Sequence, residues 1–203
     1  MGPSEADVSR SLTRLGNYRV LRAQRVANLG EPDGISGALL LAFGMRETWL
    51  RNIEGGAKLV DGAWVAETDP MRMDVGWAQI SRRYHLDALK LMPGVVGGTW
   101  GPVVPGKTGA DPGYVPRFEE ALQFVIRELH ENVAYAADHG VPADGRIRFA
   151  IAAHNAGQGG ALSGVKVGNV DTYTMGGDYS AWVLAARTGI NHWLAQHDGW
   201  RVG

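Results

Sequence analysis

A carboxylate at the end of a long apolar segment is the first candidate for chemistry in this chain. Glu47 comes two positions after the eleven-residue apolar run Ile35–Met45. Such a run predicts a buried helix, and ionisable side chains are rarely placed there without a partner or a task. Burial and the negative end of the helix dipole both disfavour a charged carboxylate, so the position predicts a raised pKa for Glu47. A carboxyl group of that kind can act as a general acid.

A structural interpretation of Glu47 stays open beside the catalytic one. Arg46 is its neighbour and Arg51 lies four residues later, a spacing that allows an ordinary ion pair on a helix. Perturbed carboxylates occur in structural networks as well as in active sites. The rest of the chain has to decide between the two interpretations.

Three further segments offer polar groups suited to a hydroxyl-rich ligand. They are Gly76-Trp77-Ala78-Gln79-Ile80-Ser81, then His85, and later Ala153-His154-Asn155-Ala156-Gly157. Glycine lets backbone groups approach a ligand closely, and the amides of Gln79 and Asn155 both donate and accept hydrogen bonds. Sugars are bound by such groups together with aromatic faces. The candidate faces are those of Trp77, Trp100 and Tyr179.

The elements that would position these residues are mainly α-helical. Residues 1–34 predict a helical lead-in, and a buried helix starting near Ile35 ends with Glu47. Apolar residues at helical spacing predict further helices over 117–139, from Pro142 to the Asn155-Ala156-Gly157 turn, and from an N-cap at Asp178 onwards. The same spacing predicts that three tryptophans are core residues. These are Trp49, Trp182 and Trp193.

Two stretches predict long loops instead of helices. Residues 52–74 are broken by glycines and Asp69-Pro70, and predict a loop with at most a small β-hairpin. The stretch from Pro93 to Pro116 contains seven glycines and, counting both ends, five prolines, which predicts a Gly/Pro-rich loop over 94–116.

Composition predicts one globular domain over residues 1–203. The chain is 45% hydrophobic and 20% charged, which suits a sizeable core. A net charge of −1 offers no global cationic field for nucleic acid or an anionic membrane. His130-Glu131 begins like a zinc-protease motif, but Ala134 stands where the second ligand would be needed. We therefore expect a monomer with no metal, no cofactor, and no nucleic-acid or membrane partner.

These motifs, in this order, resemble the goose-type lysozymes and the soluble lytic transglycosylases. The shared pattern is Arg-Glu ending an apolar helix, Gly-Trp-Ala-Gln-Ile-Ser with a later His, Ala-His-Asn-Ala-Gly, and Asp178-Tyr179-Ser180 opening a last helix. Each motif alone recurs by chance, whereas four in one order from Ile35 to about Trp193 are specific. The resemblance implies a lysozyme-like, goose-type helical domain.

The resemblance also implies roles for particular residues. Glu47 would be the catalytic acid, and the substrate cleft would be lined by Gly76, Trp77, Gln79, Ser81, His85, His154, Asn155 and Tyr179. Two positions depart from the family pattern. His154 replaces a Tyr, and an imidazole can titrate near neutral pH and couple to Glu47. Ser81 stands where goose-type lysozymes commonly have an Asp that helps to position water.

The second departure leaves the water-activating base open. Inverting hydrolysis needs a second carboxylate roughly 6.5–9.5 Å from the acid. Asp74 and Asp69 are the candidates. Lytic transglycosylases, which the resemblance also covers, need one carboxylate because the muramic acid 6-hydroxyl closes an anhydro ring. Hydrolysis and transglycosylation both stay possible outcomes.

The resemblance implies cleavage of peptidoglycan glycan strands at the β-1,4 bond between N-acetylmuramic acid and N-acetylglucosamine. The N-terminus lacks the basic and apolar regions of a signal peptide. We therefore expect synthesis in a host cytoplasm and action on the cell wall, as in phage endolysins of the lysin A type. Two alternatives stay open: a non-catalytic peptidoglycan-binding module with a lysozyme-like cleft, and a chitinase-type glycosidase.

Overall fold

A computed structural model describes residues 2–27, 34–51, 54–55, 57–61, 63–67, 69, 72–92 and 118–197. Within these residues the protein is mainly α-helical with a small antiparallel hairpin, which confirms the predicted fold class. The predicted loop over 94–116, including Trp100, lies outside the described residues. Across the described ranges, no helix is both long enough and apolar enough to cross a membrane.

The chain divides into two compact units, and each is described by itself. The first consists of Met1–Arg46 and Phe124–Gly203, and the second of Glu47–Gln123. The helices are α1 (Glu5–Leu15), α2 (Asn17–Ala27), α3 (Gly37–Thr48), α4 (Arg82–Lys90), α5 (Phe118–Asp138), α6 (Arg146–Lys166) and α7 (Tyr179–Gln196), with 3₁₀ turns at Ala143–Gly145 and Met175–Gly177. The boundary between the units falls inside α3, after Arg46.

Helix α3 is the buried element of the first unit. Its side chains from Leu39 to Phe43 are fully buried, as the continuous apolar run predicts. The helix begins at Gly37, two residues later than the sequence indicates. Gly37 lies against α2, where an added Cβ would stand 2.6 Å from the Gln24 Cα. Only glycine allows this close approach of the two backbones.

The other helices of the first unit pack around shared apolar faces. Helix α1 contacts α2 and α7, and α6 contacts α7 and the 3₁₀ turn before it. At the start of α1, Ser4 and Asp7 form a capping box in which each side chain accepts from the other residue's backbone. Helices α1 and α2 thus lie within the predicted lead-in, whose residues 28–33 are outside the described part of the chain.

Helix α6 changes direction at the predicted turn. Gly157 has a φ of +72°, which interrupts the helical backbone, and a second helical segment continues to Lys166. A side chain at this φ would be strained, so glycine is required. The first segment ends beside His154 and Asn155, as the sequence indicates, but the second segment was not predicted.

The second unit contains short strands followed by α4. Strands β2 (Ala57–Val60) and β3 (Ala63–Ala66) form the predicted hairpin. Three two-residue strands, β1 (Glu54–Gly55), β4 (Asp74–Val75) and β5 (Ile80–Ser81), form a second antiparallel sheet in the order β1-β4-β5. The segment Gly76–Gln79 is therefore the turn between β4 and β5.

One of the predicted core tryptophans lies elsewhere. Trp182 and Trp193 are buried, whereas Trp49 is 37% exposed. The helical spacing fails for Trp49 because α3 ends at Thr48 and the next backbone angle is left-handed, with a φ of +57° at Trp49. The end of the helix thus turns this ring towards solvent.

Replacing Gly37 with alanine should destabilise the first unit. The new methyl group would meet the α2 backbone, so we expect the free energy of unfolding to fall by about 1–3 kcal/mol in urea denaturation. Gly159→Ala is the matched control, because an added Cβ there meets nothing within 4 Å. Equal stability of the two variants would show that α2 and α3 are not in close contact.

Candidate functional site

Glu47 lies in the last turn of α3, as the sequence predicts, and is partly buried. It comes four residues after Phe43, so the two side chains share one face of the helix. The chain leaves the helix through two non-glycine residues in the left-handed region, with φ of +57° at Trp49 and +58° at Leu50. Such backbone is uncommon and clusters at functional sites. The raised pKa expected for Glu47 stays a prediction.

A buried threonine joins this helix end to the Gly76–Ser81 segment within the second unit. Thr48 is 1% exposed, and its hydroxyl donates to the Trp77 carbonyl at 2.9 Å. The same oxygen accepts from the Arg51 amide at 3.1 Å, and Arg51 Nε donates to the Thr48 carbonyl at 3.0 Å. Two segments separated by 29 residues in sequence therefore meet beside Glu47.

The turn itself is closed by Gln79. This residue has a φ of +49°, and its side-chain nitrogen Nε2 donates to the Gly76 carbonyl at 2.9 Å. Trp77 is buried, its Nε1 donates to the Phe118 carbonyl at 3.3 Å, and its ring centroid lies 5.0 Å from that of Phe118. Its ring therefore packs in the interior, and Trp49 offers the more accessible aromatic face.

The candidate carboxylates occupy different surroundings. Asp74 lies directly across from Ser81 in the β4–β5 pair, so their side chains leave the same face of the sheet. A carboxylate thus stands opposite the position where the resembled family has one. Asp69 is exposed, and one carboxylate oxygen lies 3.5 Å from Arg72 Nε. His85 is partly buried in α4, where its φ of −126° departs from helical geometry.

In the first unit, His154 and Tyr179 lie together, and Glu128 joins them. The His154 Nδ1 lies 2.7 Å from a Glu128 carboxylate oxygen. The His154 ring contacts Phe43 edge-on at a centroid distance of 4.5 Å and lies 6.4 Å from the Tyr179 ring. Tyr179 is 3% exposed, so its ring is no open platform for a sugar.

Arg46 and Asn155 hold the start of α7 and the turn before it. Arg46 donates to the Asp178 carboxylate at 3.0 Å, and its guanidinium lies 5.5 Å from the centroid of the Tyr179 ring. The Asp178 side chain makes no capping hydrogen bond, although Asp178 occupies the predicted N-cap position. Asn155 accepts from the Met175 amide at 2.6 Å. The side-chain oxygen of Asn155 thus already accepts a hydrogen bond from the protein's own backbone.

Asp171 supplies the cap that Asp178 does not. Its carboxylate is 1% exposed and accepts from the Ser180 amide at 2.7 Å, the Ser180 hydroxyl at 2.7 Å and the Ala181 amide at 3.3 Å. Arg148 donates to it at 3.1 Å from α6. Burial alone would raise the pKa of Asp171, but the bonds from Ser180, Arg148 and Ala181 outweigh burial and hold that pKa below 3.8.

The sequence analysis did not single out three of these residues, which are Glu128, Thr48 and Asp171. Glu128 had a detectable signal, because it lies three and four residues after the buried Val125 and Phe124 on an apolar stripe of α5. A carboxylate there needs the same explanation as Glu47. Thr48 and Asp171 had no such signal, because their partners are distant in sequence. Trp49 was named in the sequence analysis, but as a core residue.

Comparisons with protein-family models, curated proteins and solved structures find no match for this chain. No group of three or more His, Asp or Glu side chains in the described part of the chain could hold a metal ion.

Removing the Thr48 hydroxyl should loosen the connection beside Glu47. Thr48→Val keeps the shape but leaves the buried Trp77 carbonyl without its donor, so we expect a loss of about 1–3 kcal/mol in the free energy of unfolding. Thr48→Ser keeps the hydroxyl and serves as the control in the same urea titration. If valine and serine cost the same, the hydrogen bond is not the stabilising contact.

The charge of Asp171 should stabilise the first unit only above acidic pH. A lowered pKa gives stability that is fully present above the unfolded value of 3.8 and is lost as pH falls through the folded pKa. We expect Asp171→Asn to cost about 2–3 kcal/mol at pH 7, with the deficit shrinking below pH 3.8. The exposed Asp138→Asn is the control. A deficit that does not change with pH would contradict a charge effect.

Proposed function

We propose that the protein cleaves peptidoglycan glycan strands at the β-1,4 bond between N-acetylmuramic acid and N-acetylglucosamine. The observation that carries this proposal is the buried Thr48–Trp77 hydrogen bond. It joins the helix end bearing Glu47 to the Gly76–Ser81 segment, and both belong to motifs that resemble goose-type lysozymes and lytic transglycosylases.

Glu47 is the proposed general acid. In the reaction it donates its proton to the departing glycosidic oxygen, while positive charge develops at the anomeric carbon. Partial burial and the carboxyl end of α3 both favour the protonated form before the reaction. Strained backbone at Trp49 and Leu50 supports a functional constraint at this helix end.

The neighbouring groups suit a saccharide. The Gly76–Gln79 turn brings the partly buried Gln79 side chain to this end of the helix, and Trp49 offers an exposed ring two residues after Glu47. Sugar rings pack on aromatic faces, while their hydroxyl and acetamido groups bind to amides. In the first unit, His154, Asn155 and Tyr179 form a second set of residues that the resemblance assigns to the cleft.

The proposed setting is a phage endolysin with a lysozyme-like fold that acts on the bacterial wall. Asp74 is the better candidate for a second carboxylate than Asp69, because it lies across from Ser81 and is partly buried. If it activates water, the product has an ordinary reducing end. If the muramic acid 6-hydroxyl attacks instead, the product is the 1,6-anhydro sugar.

Glu47→Gln should abolish the release of soluble sugars from purified sacculi, because glutamine cannot donate the proton. We expect a loss of at least about 10²-fold in rate, measured by reducing-sugar and chromatographic assays. Binding should survive, since the shape of the side chain is kept, and pelleting with sacculi checks this. Glu5→Gln, an exposed change in α1, is the control.

Three results would contradict the proposal in different ways. Unchanged release by Glu47→Gln removes Glu47 from the reaction. A parent protein that pellets with sacculi but releases nothing is a binding module. Faster release from acetylglucosamine homopolymer than from sacculi indicates a chitinase-type enzyme.

A further inference from the structure

The connection between α6 and α7 presents two large apolar side chains that the proposed function does not use. Tyr173 and Met175 are both more than half exposed, while Thr174 between them is buried. Thr174 has an extended backbone, with φ of −78° and ψ of 156°, so its two neighbours point away from the side that it faces. Tyr173 and Met175 therefore lie on one outer surface of the first unit.

Hydrogen bonds hold this connection in one conformation. The Thr174 amide and hydroxyl both donate to the Asp171 carbonyl, at 3.0 and 2.8 Å. The Gly177 amide donates to the Thr174 carbonyl at 3.0 Å, and the Asp171 carboxylate is bound to the start of α7. The two exposed side chains thus stand on a fixed backbone, so a ligand that binds them pays little for ordering the chain.

The backbone of Met175 is held from both sides by other side chains. Its amide donates to Asn155 Oδ1 at 2.6 Å, and its carbonyl accepts from Arg46 Nη2 at 3.5 Å. A backbone amide can only donate, so this contact identifies the oxygen end of the Asn155 side chain. The other end, Nδ2, carries two donors that make no hydrogen bond with any residue that the structure describes.

Tyr173 and Asn155 border the same part of α6. The Tyr173 Cβ lies 3.8 Å from where a Cβ on Gly160 would stand, and that position is 3.0 Å from the Ala156 Cβ. Ala156 directly follows Asn155 in the chain. An aromatic side chain and an amide of fixed orientation are therefore neighbours on one surface.

This surface suits an uncharged ligand. In the described part of the chain, the charged groups that contact the turn after Tyr173 are Arg46 and Asp178, and they neutralise each other at 3.0 Å. Gly177, with a φ of +69°, leaves the backbone beside them uncovered. A charged ligand would have to compete with this ion pair, whereas hydroxyl and acetamido groups need only hydrogen bonds.

We propose that Tyr173 and Met175, together with the Asn155 amide, form a binding surface for an N-acetylated glycan strand. A sugar ring packs on Tyr173 and the Met175 thioether, and the acetamido carbonyl accepts from Asn155 Nδ2. The choice of a glycan rests on the proposed function, because both sugars of that strand carry an acetamido group. Tyr173 and Met175 are then residues of substrate binding and take no part in the chemical step.

The test is a calorimetric titration of acetylglucosamine tetramer into the Glu47→Gln protein, in which turnover is removed. Adding Tyr173→Ala to this protein should weaken binding about tenfold, because the sugar loses its aromatic contact. Tyr18→Ala, which removes an exposed tyrosine of α2, is the matched control and should leave the affinity unchanged.

Asn155→Asp separates the structural role of Asn155 from its role towards the ligand. Aspartate still accepts from the Met175 amide, so the melting temperature should be close to that of the parent. It has no donor for the acetamido carbonyl, and we expect tetramer binding to weaken about tenfold. Parental affinity in this variant would exclude the Asn155 donors from the surface and overturn the proposed contact.

Several results would overturn the glycan surface as a whole. They are an unchanged affinity in Tyr173→Ala, an equal loss in Tyr18→Ala, and no binding of the tetramer to the Glu47→Gln protein. Binding of free stem peptide in place of the tetramer would also overturn it, because the surface would then serve a peptide.

The proposed cleavage can fail separately. A parent protein that releases no sugar from sacculi, but binds the tetramer through Tyr173, has the surface without the cleavage. A parent protein that releases sugar, with the same tetramer affinity after Tyr173→Ala, has the cleavage without the surface.

Discussion

The buried carboxylate of Asp171 is the interaction on which the first unit depends. Four donors converge on it from Ser180, Ala181 and Arg148, and together they fix the first turn of α7 to α6. A charge with so little exposure is tolerated only when every lone pair is occupied, and here the positive end of a helix adds to the bonds. Because α7 is capped from upstream, Asp178 is left to bind Arg46.

The capping of α7 by Asp171 also determines where the residues around Tyr179 lie. Arg46 is held by Asp178 and lies over the Tyr179 ring, while Asn155 binds the backbone at Met175. In this unit, the residues of these motifs therefore mainly bind and position one another. In the second unit, the Thr48 hydroxyl connects the helix end that bears Glu47 to the Gly76–Gln79 turn by a hydrogen bond. Both arrangements use few, well-satisfied polar groups inside apolar surroundings.

Much of the fold could be predicted because its signals are local. The apolar run before Glu47, the stripe along α5 and the β2–β3 hairpin all follow from period and turn residues. Trp49 was placed wrongly because helical spacing carries no information about where α3 ends. The capping role of Asp171 could not be predicted, since its donors follow nine and ten residues later or lie on another helix. Glu128 could have been predicted as a site residue, because a carboxylate among the buried apolar residues of α5 requires a partner or a function.

The proposed cleavage of glycan strands by a helix-end carboxyl group is tested most directly by the chemistry of the released fragments. Mass spectrometry of the soluble material that the protein releases from purified sacculi should show fragments ending in N-acetylmuramic acid, in reducing or 1,6-anhydro form. Reducing ends would indicate hydrolysis, and anhydro ends would indicate transglycosylation. Release of peptides alone, or of no sugar-containing fragments, would contradict the account.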